Sequence, residues 1–418
     1  MDKLIINGRS KISGSINVHG SKNAALPIIV SSLLSDKILK LSNVPNVVDV
    51  LNLIKLLKNY GVKILHNKDI VHINSKKIKN LSADYDVVRK MRASILILGP
   101  LLSRFGRARI SLPGGCAIGT RPIDIHLSGL SKLGVNFEIQ NGFVVGSVKS
   151  QLIGNKIKLP FPSVGATENI LMASVLAKGE TKISNAAREP EIEDLSNCLI
   201  KMGAKIEGHG SKNIYVQGVT NLKTARHQII SDRIVAGTYI IAALILNSSL
   251  EIKNFNTTYL KSLINVLKKM GANLKVSKFS IKVLKGPKLK STSILTNPYP
   301  GFPTDLQAQL MTLMCLSDGK SKIKETIFEN RFMHVPELNR LGAKIIVEKD
   351  TAIILGNQTF KGAQVMASDL RASISLVLAA MNANGQTTLN RVYHLDRGYE
   401  NIEKTLGSLG VKIKRKKN

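Results

Sequence analysis

Six repeated α/β units, gathered into two domains of three, are what this chain predicts for itself. Three observations carry that reading. The chain has 418 residues, too many for one ordinary core, so two domains of roughly 200 residues each are the prior. A glycine signature recurs six times, at intervals of about 70 residues. An apolar helical segment precedes every copy.

The signature is an apolar residue closing a helix, then Gly, then Val or Ala. Its copies are Tyr60-Gly61-Val62, Leu133-Gly134-Val135, Met202-Gly203-Ala204, Met270-Gly271-Ala272, Leu341-Gly342-Ala343 and Leu409-Gly410-Val411. Gly just past a helix end, followed by alternating apolar residues, is a C-cap that leads into a strand. The preceding helical segments are residues 21–34, 91–102, 166–177, 232–246, 304–316 and 369–381. They are apolar on most faces, which predicts buried helices. Each unit therefore reads as strand, buried helix, strand, outer helix and hairpin. The sixth unit lacks its hairpin because the sequence ends at Asn418. Residues 4–18 have the shape of that missing hairpin and are expected to complete the sixth unit. The domains then comprise residues 22–230 and residues 1–21 with 231–418. Two crossings near residues 20 and 230 would form a hinge around a cleft.

Apolar content of 44% and charged content of 21% describe a folded globular chain. The apolar run at 239–246 is far shorter than the roughly 20 residues a membrane span needs. Cys116, Cys198 and Cys315 form no disulfide framework and no CxxC metal pattern. The first residues contain no signal-peptide core, so a cytoplasmic location is expected. The net charge of +32 invites a nucleic-acid reading. Aromatics of only 4%, no Trp and dispersed lysines argue against it. Such a field suits small polyanions where cations occupy defined sites. Cys198 and Cys315 lie in apolar helical stretches and read as core.

Several buried-helix starts carry charge or amide groups: Lys22 and Asn23, Arg92, Asp232 and Arg233, Asp305, and Asp369 with Arg371. Helix N-termini offer unpaired N–H groups and attract anions. Asp232, Asp305 and Asp369 also serve as ordinary N-caps, whereas basic residues there are poor caps and useful anion ligands. The most specific segment is residues 112–126, Leu-Pro-Gly-Gly-Cys-Ala-Ile-Gly-Thr-Arg-Pro-Ile-Asp-Ile-His. Its prolines and glycines put Cys116 on a loop, with Arg121 near enough to tune a thiol. Residues 161–169 precede a buried helix, and their Gly and hydroxyls suit sugar or phosphate binding. Arg331 and Arg397 fall in loops of the second half.

The strings GSKNAALP (20–27), PGGCAIGTRPIDIH (113–126), PSVGATEN (162–169), GFPTDLQAQ (301–309) and HLDRGYE (394–400) resemble the UDP-N-acetylglucosamine 1-carboxyvinyltransferase family of the EPSP synthase superfamily. The resemblance runs from residue 20 to residue 400. It implies a pair of inside-out α/β domains, each of three βαβαββ units, joined by a double-crossover hinge. It also implies transfer of the enolpyruvyl group of phosphoenolpyruvate to the 3′-hydroxyl of UDP-N-acetylglucosamine (UDP-GlcNAc), with release of phosphate. This is the first committed step of peptidoglycan precursor synthesis. No metal or organic cofactor is implied, and no nucleic acid, membrane or obligatory protein partner. The alternative is the related synthase acting on shikimate 3-phosphate, which has no PGGC loop of this kind.

The resemblance assigns Cys116, on a loop at about 111–123, as the acid and the site of a covalent adduct with phosphoenolpyruvate. It assigns Asp305 as the base, and Lys22 and Arg397 beside them. Phosphoenolpyruvate would be held by Lys22, Asn23, Arg121, Arg331, Arg371 and Arg397. UDP-GlcNAc would be held by Arg92, Arg121, Pro122, Ile123, Asp124, Ile125, Phe161, Pro162, Ser163, Val164, Asp305 and Ile327. Domain closure is expected to bring Lys22 and Cys116 to Asp305 and Arg397, with UDP-GlcNAc binding first. The loop cysteine predicts alkylation by the epoxide fosfomycin. Intact-mass analysis should find one adduct, located at Cys116 by peptide mapping; an unmodified Cys116 removes the thiol from its role.

Overall fold

The computed structural model describes residues 2–79, 81–83, 92–111 and 123–417. They divide into two compact units, one formed by residues 20–230 and the other by residues 2–19 with 231–417. Among the described residues there are twelve α-helices. Six are inner helices: α1 (Lys22–Ser31), α3 (Leu98–Phe105), α5 (Val164–Ser174), α7 (Arg233–Ile245), α9 (Gln307–Leu316) and α11 (Leu370–Asn382). The others are outer helices: α2 (Val48–Asn59), α4 (Asp124–Ser131), α6 (Pro190–Lys201), α8 (Lys261–Lys269), α10 (Val335–Arg340) and α12 (Ile402–Ser408). None of the described helices is long and apolar enough to cross a membrane.

The inner helices have no solvent face. In α7 every residue but Leu244 is buried, and in α11 every residue but Asn382. Within residues 231–417, α7, α9 and α11 pack pairwise on one another. In the other unit α3 packs on α5, and α1 on the 3₁₀ turn Arg92–Ile97. Sheets and outer helices wrap these cores, so the apolar faces of both point inward.

The recurring Gly-Val/Ala signature has a specific hydrogen-bond cause. Gly61 donates to Lys58 O and Val62 to Leu57 O, which is the Schellman arrangement. The same pair of bonds recurs at Gly203, Gly271, Gly342 and Gly410. All six signature glycines have φ between 92° and 113°, a backbone region that favours Gly. A strand begins at the apolar residue after each Gly or within two residues of it.

Among the described residues the strands form six four-stranded sheets, each with one parallel edge pair. In four sheets that edge strand comes before the inner helix of the same unit, as where Lys156–Lys158 leads into α5 and pairs with Glu180–Ser184. The remaining two sheets borrow. Ala225–Gln228 pairs with Ile38–Ser42, and Ser15–Asn17 pairs with Leu250–Lys253. The chain therefore leaves each unit immediately after lending it a strand.

This corrects the reading of residues 4–18 as one hairpin. Lys3–Asn7 lies in the sixth sheet, antiparallel to both Gln386–Asn390 and Ile413–Lys416. Ser15–Asn17 instead edges the fourth sheet. The chain cannot turn back after Asn7, because Gly8, Arg9 and Ser10 donate in succession to Gly385, Ala383 and Met381 carbonyls. A Cβ at Gly8 would fall 1.7 Å from Ala383 O.

Because Lys3–Asn7 is an interior strand, its apolar face is core. Leu4 and Ile6 are fully buried. Leu4→Ala should lower unfolding free energy by about 2–5 kcal/mol, measured by denaturant titration. A loss below 1 kcal/mol would mean that this strand is not part of the cooperative core.

Candidate active site

In residues 231–417 the charged residues singled out from the sequence gather at the starts of α7, α9 and α11. Asp232 caps α7, accepting from Ile234 N and Val235 N. Asp369 caps α11, accepting from Arg371 N at 2.8 Å and Ala372 N at 3.2 Å. Asp305 is different. It lies in the 3₁₀ turn Thr304–Leu306 ahead of α9, and its carboxylate is held by two arginines. Arg331 Nη2 donates to Oδ1 at 3.0 Å, and Arg371 Nη2 donates to Oδ2 at 2.7 Å. Side-chain exposure is 28% for Asp305 but 4% and 6% for Arg331 and Arg371. The carboxylate is thus the open end of a cluster whose cations lie beneath it.

The charge state follows from these contacts. Burial alone would depress the pKa of Arg371, but Asp305, Tyr399 and Asp232 outweigh it and the pKa is raised. Arg371 stays a guanidinium, with one carboxylate shared between two cations. Asp369 stands 3.9 Å from Arg331 Nη1. His334 is buried nearby. Burial holds its imidazole neutral, down to about 4, with Asp369 opposing and Arg331 assisting. Sequence reasoning passed over His334, since a lone His three residues after Arg331 carries no spacing signal.

Ile327 belongs to the same loop. Glu325 Oε1 accepts from Ile327 N at 2.9 Å, and Oε2 accepts from Thr304 Oγ1 at 3.0 Å. One buried carboxylate therefore ties the Ile327 segment to the Asp305 turn. Arg397 is half-buried at the end of the 3₁₀ turn Val392–Arg397. The preceding residue, Asp396, accepts from the two terminal guanidinium nitrogens of Arg415, Nη1 at 2.9 Å and Nη2 at 2.6 Å. The C-terminal strand Ile413–Lys416 thereby anchors the Arg397 turn. His394 is lowered by burial and then by Arg397.

In residues 20–230 the predicted groups lie at the starts of α1, α4 and α5. Ser21 caps α1, so Lys22 and Asn23 occupy its first turn. Lys22 Nζ pairs with buried Asp49 Oδ2 at 3.1 Å. Gly20 is required here because a Cβ would lie 1.7 Å from Asn43 O. Ile123 precedes α4, Asp124 opens it exposed, and Ile125 is half-buried. Phe161 is exposed, Pro162 lies beside it, and Ser163 caps α5 ahead of Val164. Cys116, Arg121 and Pro122 lie outside the described residues, as does the side chain of Arg92.

The 165–169 stretch turns inward. Thr167 Oγ1 donates to Ser163 O and accepts from Ala187 N. Asn169 accepts from Gly99 N at 2.7 Å and donates to Ile95 O at 3.0 Å, next to His126 Nδ1 at 3.2 Å. These residues stitch α5 to α3, so only the start of the segment is left for a ligand. Glu168 is buried, and burial, then Glu191 and Glu189, raise its pKa well above the usual carboxylate range. Cys198 and Cys315 are core, with thiols pushed to about 12 by burial. Among the described residues no group of three or more His, Cys, Asp or Glu is placed to hold a metal ion.

Residues 6–406 match the family model described as EPSP synthase (3-phosphoshikimate 1-carboxyvinyltransferase). The UDP-N-acetylglucosamine 1-carboxyvinyltransferase of Pelagibacter ubique is 51% identical over 416 residues, covering 99% of this chain and all of that protein. The enzyme of that name from Paramagnetospirillum magneticum is 49% identical, covering 100% of this chain and 99% of that one. Among solved structures, the enolpyruvyl transferase NikO from Streptomyces tendae superimposes with a TM-score of 0.90 at 23% identity, covering 99% of this chain and 98% of that one. EPSP synthase from Acinetobacter baumannii gives 0.77 at 18% identity, with full coverage of both chains. The structural likenesses establish the fold of two α/β units.

Glu168 generates a pH test. Its folded-state pKa is raised, so its contribution to stability is complete below about 4.5, the unfolded carboxyl value, and is lost as pH rises toward the folded value. Glu168→Gln removes that loss. The Tm advantage of the variant over wild type, read by calorimetry, should be larger at pH 8 than at pH 5; an advantage that shrinks with pH contradicts a protonated Glu168.

Proposed function

This chain belongs to the EPSP synthase family, and from that premise we propose that it transfers the enolpyruvyl group of phosphoenolpyruvate to the 3′-hydroxyl of UDP-GlcNAc. The supporting observation is the 49–51% identity to UDP-N-acetylglucosamine 1-carboxyvinyltransferases from end to end. The reaction is addition followed by elimination. The sugar hydroxyl gives its proton to a base while its oxygen bonds to C2 of phosphoenolpyruvate. The CH2 carbon takes a proton and becomes a methyl group. The tetrahedral ketal then returns a methyl proton and expels phosphate from C2, which restores the double bond.

In this reading Cys116 protonates the methylene carbon and forms the covalent adduct, and Asp305 accepts the hydroxyl proton. Lys22, Asn23, Arg121, Arg331, Arg371 and Arg397 hold phosphoenolpyruvate. Arg92, residues 121–125, residues 161–164, Asp305 and Ile327 hold UDP-GlcNAc. Residues 22–230 form the domain carrying the cysteine loop; residues 1–21 with 231–418 form the other. Both substrates are cytoplasmic metabolites, which sets the proposed compartment. Cys116 asks for a protonated thiol at a mobile position, so placement matters as much as acidity.

The Asp305 cluster fits the assigned order of events. A carboxylate clasped by two guanidinium groups is ionised and a weak base. A phosphoryl anion competes for the same arginine forks. Arrival of phosphoenolpyruvate would draw Arg371 toward phosphate and leave Asp305 free to accept a proton only once both substrates are present.

Phosphate release from phosphoenolpyruvate should require UDP-GlcNAc and fail with shikimate 3-phosphate. Asp305→Asn should lower kcat by about 10²–10⁴-fold, the usual worth of general acid–base assistance. Cys116→Ser separates the thiol's role in the same assay. Release that depends on shikimate 3-phosphate would overturn the proposal.

A further inference from the structure

Glu325 follows the strand Lys320–Lys324 and is 4% exposed. Its two oxygens serve different parts of the fold. Oε1 accepts from Ile327 N at 2.9 Å, from Phe328 N at 3.4 Å and from Thr296 Oγ1 at 2.9 Å. Oε2 accepts from Thr304 Oγ1 at 3.0 Å. Thr304 opens the 3₁₀ turn that carries Asp305. Its carbonyl accepts from Arg331 Nη2 at 3.3 Å, and the same nitrogen donates to Asp305 Oδ1 at 3.0 Å. A continuous path of hydrogen bonds thus runs from the Ile327 main chain through Glu325, Thr304 and Arg331 to the Asp305 carboxylate.

The two ends of the carboxylate differ in what they require. An ionised carboxylate only accepts, so Thr304 and Thr296 each turn a hydroxyl hydrogen toward Glu325. The Thr296 oxygen in turn accepts from Thr326 N at 2.9 Å, and Thr326 Oγ1 donates to Thr296 O at 2.6 Å. The Oε1 end is therefore fixed by several bonds. Those to Ile327 N and Phe328 N are local, two and three residues on, of the kind that an aspartate makes in a turn. The Oε2 end is a single arm to Thr304, 21 residues away, and only the longer side chain of glutamate spans both. A buried acceptor left without its donor is costly, which keeps the arm closed on Thr304.

We propose that Glu325 is a positioning residue for the sugar nucleotide: through Thr304 it sets the spacing between the Asp305 turn and the Ile327 segment, so that both meet UDP-GlcNAc together. The proposal deepens the function above and rests on it, since Asp305 and Ile327 are assigned to that substrate. Phosphoenolpyruvate is affected less. Its arginines Arg331 and Arg371 are held by Asp305 and, for Arg331, by the Thr304 carbonyl, which a change of the Thr304 side chain leaves in place.

Two variants cut the arm alone. Thr304→Val removes the hydroxyl and keeps the shape. Glu325→Asp keeps a carboxylate for the Ile327 and Phe328 amides but is a methylene too short for Thr304. Each should raise KM for UDP-GlcNAc and lower kcat, with kcat/KM for UDP-GlcNAc down by about tenfold or more and KM for phosphoenolpyruvate within about twofold. Thr304→Ser, which keeps the hydroxyl, should restore the wild-type values. Both variants break the same bond and coupled residues are non-additive, so Thr304→Val/Glu325→Asp should be no worse than the worse single variant. A structural role alone would lower Tm and shift both KM values together, and that result overturns the proposal. So does an unchanged KM for UDP-GlcNAc in Thr304→Val. Amide hydrogen exchange followed by NMR is independent of turnover. The Ile327 amide should exchange about tenfold faster or more in Thr304→Val than in wild type, although Thr304 is not its partner. Wild type inactive with UDP-GlcNAc would defeat the functional reading, while this exchange rate would still decide whether the arm holds the Ile327 segment; equal rates in both proteins would end the proposal.

Discussion

A helix buried on all sides can present only its ends to a ligand. This constraint governs both units. With α7, α9 and α11 packed on one another and wrapped by sheets, their side faces are committed to apolar contact. Chemistry is left to the first turns, where N–H groups lack intrahelical partners. Lys22, Ser163, Asp305 and Arg371 are therefore all first-turn or cap-adjacent residues. The positive end of each helix dipole adds to the cations there and favours anionic ligands.

The carboxyl groups of Asp305 and Glu168, one in each unit, are handled in opposite ways. Around Asp305 a carboxylate is compensated by two guanidinium groups. Breaking either bond would strand a buried cation. At Glu168 burial, with neighbouring Glu191 and Glu189, favours the neutral acid. In the proposed reaction the first arrangement responds to an incoming anion, since Arg371 has Asp305 to exchange. The second lies in the interior, beside Asn169 and Thr167, which bond Gly99 and Ala187 from the same helix.

Much of the architecture was legible from local rules. The six glycines announced helix ends because all six take a positive φ, and five of them close the Schellman pair of bonds with an apolar residue next in sequence. The inner helices announced themselves by lacking a polar face. The 162–169 string was less transparent. Its hydroxyls and amide suit a ligand by type, yet Thr167 and Asn169 spend theirs on Ala187 and Gly99. Residue type cannot tell an inward from an outward hydrogen bond, because the partner comes from a distant segment.

Local hydrogen bonding and apolar periodicity act over a few residues, and the sequence alone therefore determined the number of units, the helix ends and the charged first turns. Strand exchange was beyond its reach. Residues 4–18 look like one hairpin, and only the assembled sheets send Lys3–Asn7 beside Ile413–Lys416 and Ser15–Asn17 beside Leu250–Lys253. The same holds for the clasp of Asp305 by Arg331 and Arg371. These contacts join residues 26 and 66 positions apart, and what selects them is the packing of whole helices, a property of the folded chain rather than of any stretch of it.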